Sequence, residues 1–377
     1  MRPLTPKEIV PNPLKRPLRI YYAPRDNKGC GFYRILQPAS VIKDQGLAEV
    51  KIYPGWDKQL VDWCDIIHIQ RPSDPELYEP IADAQAKGKI VVYELDDLIY
   101  GVHPKNPAYP FWSPDSWRTA SALRTMTMCD YLTVTTPRLA NEYAQHNRNI
   151  FVLQNYVDKN LWDIPNGWKS TEWDEYYKRK NDDIIRIGWA GGASHIDDLE
   201  MISDVLTKIA KKYKNVRIVL MGFTPQNVFG KIPLAEATCA HCGHQGQLEL
   251  VEGTDLINYP SKLKSLALDI GIAPLVETAF NECKSDIKLK EYAALGIPVV
   301  ASDMKPYSES LKHGDTGFLA KSGKEWFDYL ELLIQNKSMR ERFGKANNLW
   351  YQDNTIDKNI YRWMNVYYQM AQRKSKW

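Results

Sequence analysis

Two lysines and a glutamate share one face of a segment that is predicted to be helical. Lys284, Lys288 and Glu291 are spaced i, i+4 and i+7, which places them on the same side of a helix. Two cations and one carboxylate can bind an anionic group and accept hydrogen bonds from a neighbouring diol, and a sugar nucleotide carries both. The alternative is a solvated face of charge pairs, which is the commoner fate of charges on a helix.

The local sequence indicates how this helix is positioned. Ser285 is the predicted N-cap, and Gly296 followed by Pro298 marks the end of the helix. The next segment, 297–301, is uniformly apolar, as expected for a parallel strand buried on both faces. Because open α/β sheets bind ligands at such helix–strand junctions, this position favours a binding role for the charged face.

Length and composition are those of a globular protein with two domains. The chain has 377 residues, 44% hydrophobic and 25% charged, with a formal net charge of +3. That charge does not by itself demand nucleic acid or an anionic membrane as a partner. No apolar run approaches the length of a transmembrane helix, and prolines interrupt the N-terminal segment where a signal peptide would need an apolar core. We therefore expect a soluble cytoplasmic protein whose six cysteines are reduced.

Short apolar segments alternate with helical patterns along the chain, which predicts a doubly wound parallel α/β sheet in each half. Residues 161–183 are polar and aromatic without periodicity, and they are predicted to be a linker. The expected units are an acceptor-side domain at 1–165, a second domain at 166–350 and a C-terminal helix within 351–377. The predicted strands are 18–22, 65–69, 90–95, 131–134, 150–153, 184–188, 216–221, 268–273 and 297–301.

Two glycine turns each follow a predicted strand and precede a helix. One contains Gly29 and Gly31, and the other contains Gly191 and Gly192. Backbone amides at a helix N-terminus attract phosphate, and glycine allows a ligand to approach closely. Neither turn is a complete dinucleotide-binding fingerprint, so a tight structural turn is the better explanation of each when it is taken alone.

Asp96 and Asp97 follow the predicted strand 90–95 directly, at the end where ligands bind to parallel sheets. Paired carboxylates can hold a metal, orient sugar hydroxyls or assist proton transfer. The alternative is a helix cap or a turn. The following loop, 100–112, is rich in aromatic residues and proline, which suits stacking on a sugar or a base as well as packing on itself.

A cluster of cysteine and histidine has the short spacing of a zinc knuckle. Cys239, Cys242 and His244, with His241 between them, could supply the ligands of a structural zinc ion. The alternative is a loop that carries reduced thiols, because no second Cys-x-x-Cys pair is present.

The C-terminal half resembles a known family. Residues 291–300 read Glu-Tyr-Ala-Ala-Leu-Gly-Ile-Pro-Val-Val, and residues 314–319 read Gly-Asp-Thr-Gly-Phe-Leu. Both are similar to motifs of the retaining GT-B glycosyltransferases, the large family 4-like group that includes glycogen and sucrose synthases and phage-type members. The resemblance implies two Rossmann-like domains facing each other across a cleft, with the C-terminal helix crossing back to the first domain.

The resemblance also implies an activity. It predicts a hexosyl- or pentosyltransferase that uses a nucleoside-diphosphate sugar, a UDP- or GDP-sugar above all, with retention and without an obligatory metal. Glu291 would bind the ribose hydroxyls, and Gly31 would approach the donor sugar. The diphosphate would bind Lys284, Ser285, Lys288 and the amides of Gly191 and Gly192. The residues expected to orient donor or acceptor hydroxyls are Asp96, Asp97 and Arg34.

Three departures from the family pattern leave alternatives open. Cys283 replaces a common glutamate, Asp96 stands where a histidine is frequent, and His195 with the two residues after it replaces a Lys-Gly pair. A saccharide or glycan, which includes a lipid-linked one, is the expected acceptor. A hydroxymethylated DNA base is the alternative acceptor, which would make the activity a phage-type DNA modification. A non-catalytic nucleotide-sugar-binding protein and an epimerase are the alternatives of another class.

Overall fold

The computed structural model describes residues 4–163, 168–222 and 246–374. Its described strands form two six-stranded sheets, and every pairing within them is parallel. The predicted α/β class with two doubly wound sheets is therefore confirmed. Within the same ranges, each helix is too short or too polar to cross a bilayer.

The first sheet has the strand order β2-β1-β3-β4-β5-β6. Its central strands β3 and β4 are buried at every residue, which explains why apolar residues predominate in them. The strands are β1 (Arg19–Ala23), β2 (Glu49–Ile52), β3 (Ile66–Gln70), β4 (Ile90–Leu95), β5 (Tyr131–Val134) and β6 (Ile150–Val152).

Helices connect these strands, and the first of them is irregular. A π-helical segment, Phe32–Leu36, joins α1 to α2 in one continuous helix after the glycine turn. The helices of this half are α1 (Gly29–Gly31), α2 (Gln37–Asp44), α3 (Lys58–Trp63), α4 (Tyr78–Ala86), α5 (Tyr109–Trp112), α6 (Trp117–Met128), α7 (Pro137–Tyr143) and α8 (Lys159–Trp162).

The second sheet has the strand order β12-β11-β10-β7-β8-β9. Its strands are β7 (Ile185–Gly191), β8 (Val216–Gly222), β9 (Leu248–Glu252), β10 (Ile270–Ala273), β11 (Val299–Ser302) and β12 (Gly317–Ala320). The remaining helices are α9 (Ser170–Lys180), α10 (Ile196–Lys212), α11 (Tyr259–Ser265), α12 (Ala279–Glu282), α13 (Ile287–Ala294), α14 (Gly323–Gln335), α15 (Lys337–Tyr351) and α16 (Ile356–Lys374).

Two local predictions were wrong. The segment 161–183 was predicted to be a linker, but it contains the helix α9, none of whose residues is fully buried. Aromatic side chains of this segment surround a lysine instead: the Lys264 ammonium lies 4.8 Å from the Trp173 ring centroid and 5.8 Å from that of Tyr176. The single helix predicted from Ser285 onward begins only at Ile287, and the shorter α12 precedes it.

The C-terminal helix α16 packs on the first sheet. Its buried side chains Ile360, Trp363 and Tyr367 share one apolar core with Ile20 and Tyr22 of β1. The Tyr367 hydroxyl lies 2.7 Å from both the Tyr22 hydroxyl and Nδ1 of His68. The first globular unit of the structure is thus completed by the last helix of the chain.

Candidate active site

A cavity of about 350 Å³ lies between the carboxyl ends of the two sheets. Its walls come from the residues that follow β1, β3 and β4 on one side, and β7 and β10 on the other. Parallel sheets bind ligands at these ends, because the connections there diverge. The polar lining residues include Arg71, Asp96, Asp97, Asn106 and Asn155 from the first half, and Ser194, His195, Lys284, Ser285 and Lys288 from the second.

The second half supplies a cationic wall to this cavity. Lys284 lies in the break between α12 and α13, and Lys288 lies in the first turn of α13. The prediction that Lys284 shares a helix face with Lys288 and Glu291 was wrong, because the helix starts after Lys284. Both ammonium groups nevertheless line the cavity. Burial lowers the pKa of Lys284 and Lys288 acts in the same direction, whereas Asp198 and Asp97 oppose them. An anion placed here would therefore stabilise the charged ammonium.

Glu291 does not present its carboxylate to the cavity as the sequence predicted. Its residue is 4% exposed, and both oxygens are already hydrogen-bonded. The Tyr33 hydroxyl donates to Oε1 at 2.9 Å, while the Tyr259 hydroxyl and the Lys288 ammonium donate to Oε2 at 2.9 and 2.7 Å. A buried carboxylate must find donors, and here one of them is Tyr33 from the opposite domain. In this conformation Glu291 is a contact between the two halves.

The glycine turn after β1 contributes Gly29 rather than Gly31. A Cβ on Gly31 would lie 1.8 Å from the backbone oxygen of Asp26, so glycine is required there for close backbone packing. A Cβ on Gly29 would meet nothing within 4 Å, and Gly29 lines the cavity. The glycine that lines the cavity is therefore Gly29, two residues before the predicted Gly31.

The second glycine turn leads into α10. A Cβ on Gly191 would lie 2.5 Å from the Trp189 ring, whereas Gly192 faces open space. Neither glycine lines the cavity, but Ser194 and His195, which follow them at the N-terminus of α10, do. The positive end of this 17-residue helix is thus directed to the cavity, as an anion site requires.

A cluster of two carboxylates and a thiol lies on the wall opposite these cations. Ligand atoms of Cys30, Asp96 and Asp97 lie within 4.8 Å of one another. Burial raises the pKa of the Cys30 thiol well above its usual value, and Asp96 adds to the effect. The two carboxylates are placed to accept hydrogen bonds from hydroxyl groups of a ligand. Together with Cys30 they could also hold a metal ion.

Arg71 is a site residue that the sequence reasoning missed. It directly follows β3, lines the cavity and adopts a left-handed backbone conformation with φ of 44°. Its guanidinium donates to Asp26 at 3.1 Å. Burial opposes its charge, but Cys30, Asp96 and Asp97 outweigh burial and raise the pKa of Arg71. The strand-end rule that identified Asp96 after β4 would also have identified Arg71.

Arg34 was predicted to orient hydroxyls, and the structure contradicts this. The side chain is fully buried and forms an ion pair with Glu94, at 2.6 and 3.1 Å. It also donates to Oδ1 of Asn155 at 2.9 Å and lies 5.1 Å from the Trp363 ring centroid of α16. Arg34 therefore holds the core of the first half together, because a buried cation needs a full set of partners.

The cysteine at position 283 has a packing explanation. Cys283 and Phe280 are buried in the apolar core of the first half, although they follow β10 of the second sheet. The Thr136 hydroxyl donates to the carbonyl of Cys283 at 3.0 Å. A glutamate at this position would carry a buried charge into that core, which accounts for the departure from the family pattern.

Ser285 connects the cavity to the segment that follows β6. Its hydroxyl accepts a hydrogen bond from Nδ2 of Asn155 at 3.0 Å, and the carbonyl of Asn155 accepts one from the Lys290 ammonium at 2.8 Å. These bonds hold the loop before α13 against the first half. Ser285 is therefore positioned at the junction of the two halves.

A larger cavity of about 560 Å³ lies elsewhere on the second half. It is lined by Lys180, Asp269 and Pro298, which precede β7, β10 and β11. This is the amino end of the sheet, whereas open α/β sheets bind their ligands at the carboxyl end. The cavity between the two halves remains the better candidate site. Cys239, Cys242 and His244, the predicted zinc ligands, lie outside the described residues.

The carboxylate of Asp96 makes the folded protein sensitive to pH. Burial raises its pKa to about 6, and Asp97 acts in the same direction. A carboxyl whose pKa is raised on folding destabilises the protein increasingly as pH rises from about 4, and fully above about 6. Asp96→Asn should therefore raise the free energy of unfolding by about 1–3 kcal/mol at pH 8.

This gain should shrink as the pH falls through 6 towards 4, which urea unfolding at several pH values would measure. Asp115→Asn, a change outside the cavity, serves as the control. A gain that does not depend on pH would contradict the assigned state of Asp96.

Comparison with known proteins supports the fold and one segment of the family motif. Residues 287–350 match the family model described as Glycosyl transferases group 1. No curated protein matches the sequence.

Solved structures match almost the whole chain at low sequence identity. HepE of Anabaena in complex with UDP-glucose is 14% identical with a TM-score of 0.60, over 96% of this chain and 100% of that one. Sucrose-phosphate synthase of Thermosynechococcus elongatus is 12% identical with a TM-score of 0.63, over 95% and 100%. A variant of S. aureus TarM in complex with fondaparinux, α-GlcNAc-glycerol and UDP is 14% identical with a TM-score of 0.55, over 80% and 55%.

The chain has the GT-B fold, as the resemblance implied. The family resemblance is confirmed for the segment 287–350, which holds α13, β11, β12, α14 and all but the last residue of α15.

Proposed function

We propose that this protein is a glycosyltransferase that moves a hexosyl or pentosyl group from a nucleoside-diphosphate sugar to a hydroxyl acceptor. The observation that carries the proposal is the polarity of the cavity. One wall is cationic, with Lys284, Lys288 and the N-terminus of α10, and the other carries Asp96 and Asp97. An activated sugar has the same polarity, since its diphosphate is anionic and its ring carries hydroxyl groups.

The nucleotide binds mainly to the second domain. Lys284 and Lys288 pair with the diphosphate, and the Ser285 hydroxyl and the amides at the start of α10 add hydrogen bonds. UDP is the first donor nucleotide to test, because HepE was solved with UDP-glucose and TarM with UDP. GDP is the second.

Charge stabilisation on the leaving diphosphate is the main catalytic task. As the bond between the anomeric carbon and the diphosphate breaks, negative charge accumulates beside the two lysines. Lysine cations supply the charge that the leaving group needs, so the reaction does not require an obligatory metal. Asp96 and Asp97 accept hydrogen bonds from sugar hydroxyls. The resemblance to the retaining enzymes supports retention at the anomeric carbon.

A saccharide or glycan is the proposed acceptor. Trp112 lines the cavity, and the adjacent Phe111 and Trp117 are 53% and 60% exposed. The Arg118 guanidinium lies 5.4 Å from both of these exposed ring centroids. Such rings stack on sugar faces and equally on an extruded base, so the DNA acceptor remains the alternative. Salt-sensitive binding to duplex DNA would support DNA, and binding indifferent to salt would support a glycan.

Thermal unfolding with a panel of UDP, GDP, ADP and their glucose conjugates tests the proposal. A ligand present at 100 times its Kd should stabilise the folded protein by about 2.7 kcal/mol and raise Tm accordingly. Release of free sugar from the bound donor would then show turnover. Binding without turnover in an acceptor screen would support the non-catalytic alternative, and an unchanged Tm with every ligand would refute the proposal.

The contact between Tyr33 and Glu291 yields a further prediction. If the ribose diol binds Glu291, the Tyr33 hydroxyl must first release Oε1. Removing this hydroxyl takes away a competing hydrogen bond of about 1 kcal/mol, so Tyr33→Phe should tighten UDP binding about fivefold. Titration calorimetry measures the effect, with Tyr53→Phe, an exposed tyrosine, as the control. Weaker binding would mean that Tyr33 itself contacts the nucleotide.

A further inference from the structure

His195 occupies the cationic wall in an unusual arrangement. Its ring lies between Asp198 of α10 and Lys284, which lies in the break between α12 and α13. Nδ1 lies 2.7 Å from Oδ2 of Asp198, and Nε2 lies 3.4 Å from Nζ of Lys284. The imidazole ring packs edge-on against Trp189, with ring centroids 5.8 Å apart. The ring is therefore fixed with one nitrogen towards the protein and the other towards the cavity.

Asp198 determines which nitrogen carries the proton. Its Oδ1 accepts from the backbone amide of Val276 at 2.7 Å and from Nδ2 of Asn281 at 2.9 Å. Burial raises the pKa of Asp198, but the hydrogen bonds from His195 and Val276 and the charge of Lys284 outweigh burial and keep this pKa below its usual value. An ionised carboxylate only accepts hydrogen bonds, so Nδ1 of His195 must be the donor. In the neutral ring Nε2 then carries a lone pair that is directed to the cavity and to Lys284.

This lone pair conflicts with the anion that the cavity is built to bind. Phosphate oxygens only accept hydrogen bonds, and a neutral Nε2 repels them. A protonated Nε2 would instead donate a charge-assisted hydrogen bond to the same oxygen. Diphosphate binding thus favours the protonated ring.

We propose that His195 is a ligand of the donor diphosphate that binds it only as imidazolium, so that each nucleotide bound takes up one proton from solvent. The proton adds to the Nε2 lone pair, and no covalent bond between heavy atoms forms or breaks. This inference rests on the proposed function, to which it adds the His195 side chain as a diphosphate ligand and the uptake of one proton at its Nε2.

The charges around His195 are consistent with such a switch. In the ligand-free protein, burial lowers the pKa of His195 to about 4, with Lys284 and Lys288 acting in the same direction and Asp198 against them. On the opposite wall, Asp97 and Cys30 face Lys284. Asp197 is engaged with His103 and Lys105 at 2.9 Å each. A bound diphosphate neutralises both lysines and places negative charge beside Nε2, which reverses the balance.

Titration calorimetry with UDP at pH 6.5, in buffers of different ionisation enthalpy, tests the proposal. The dependence of the observed enthalpy on the buffer gives the protons taken up on binding. We expect uptake in the unchanged protein and in the control His146→Gln, whose histidine packs on Tyr100 and Tyr143 and does not line the cavity. In His195→Gln the uptake should be lost and the affinity should fall about tenfold. The ionisation of UDP itself is common to all three proteins and cancels in the comparison.

The outcomes separate this inference from the proposed function. If UDP binds and His195→Gln takes up as many protons as the unchanged protein, the proposal is overturned, and Lys284 becomes the titrating group. Binding without any protein-dependent uptake also overturns it. If neither UDP nor GDP nor ADP binds the unchanged protein, the proposed function fails, and this inference fails with it. In protein labelled with ¹⁵N-histidine, addition of UDP should change one set of ring resonances from those of a neutral tautomer to those of imidazolium. This change should be absent from His195→Gln.

Discussion

Replacing Arg34 with methionine is expected to lower the free energy of unfolding by about 3–5 kcal/mol. The change leaves the Glu94 carboxylate buried without its main partner, at the centre of a network that also includes His68 and Thr133. It also removes the cation stacked over Trp363, through which α16 packs on the first sheet. Urea unfolding followed by tryptophan fluorescence would measure the loss.

An exposed ion pair provides the matched control for this prediction. Arg16 pairs with Asp65 at 2.7 Å, but the Arg16 side chain is 45% exposed, so Arg16→Met should cost less than about 1 kcal/mol. Adding Glu94→Gln to Arg34→Met should recover part of the loss, because the unpaired charge is then removed. Equal costs for Arg16→Met and Arg34→Met would show that Arg34 is not the buried core residue described above.

Changing both Lys284 and Lys288 to methionine is expected to weaken UDP binding at least about 100-fold, because two charge-assisted hydrogen bonds to the diphosphate are lost. Transfer should fall further than binding, since charge on the diphosphate grows as the sugar leaves. Both lysines line the cavity, and neither supports the sheet. The Tm of the ligand-free protein should fall, because Lys288→Met leaves the buried Glu291 carboxylate without the ammonium that donates to its Oε2 at 2.7 Å. Binding is therefore measured well below the Tm of the variant.

Lys305→Met is the control for the lysine pair. This lysine also belongs to the second domain, but its side chain is 61% exposed and pairs with Glu309. Binding of UDP should be unchanged in that variant. If the double variant still binds UDP as tightly as the control does, the diphosphate does not occupy the cationic wall, and the placement of the nucleotide is wrong.

Most strands of the fold could be predicted from sequence, and the exceptions have a common cause. Buried parallel strands such as β3 and β4 are predominantly apolar, with few polar residues among them, and are easily recognised. Three strands were missed, β2, β9 and β12, and all three lie at sheet edges. Most residues of β2 and β9 are partly or fully exposed. Their residues mix charged and apolar side chains, because an edge strand packs on a neighbour along one side only.

The candidate site could be predicted in part, because the residues that follow parallel strands lie at the carboxyl edge of a sheet, where ligands bind. Asp96 follows β4, and Lys284 and Lys288 follow β10, so each lies at the ligand-binding edge of its own sheet. Sequence reasoning failed for arginine, because this residue type serves both in ligand binding and in buried ion pairs. Arg34 was expected among the hydroxyl-binding residues, but its guanidinium pairs with Glu94, which is 60 residues away in sequence.

The sequence by itself determined the layered α/β architecture, the two parallel sheets and the residues placed at their ligand-binding ends, because periodicity and strand termini are local properties of the chain. Only the tertiary structure decided which of those side chains face the cavity. Glu291 is closed off by Tyr33, 258 residues away, and His195 is held by Asp198 and faces Lys284, 89 residues away. Contacts over such separations depend on how the two domains meet, and no local pattern records that geometry.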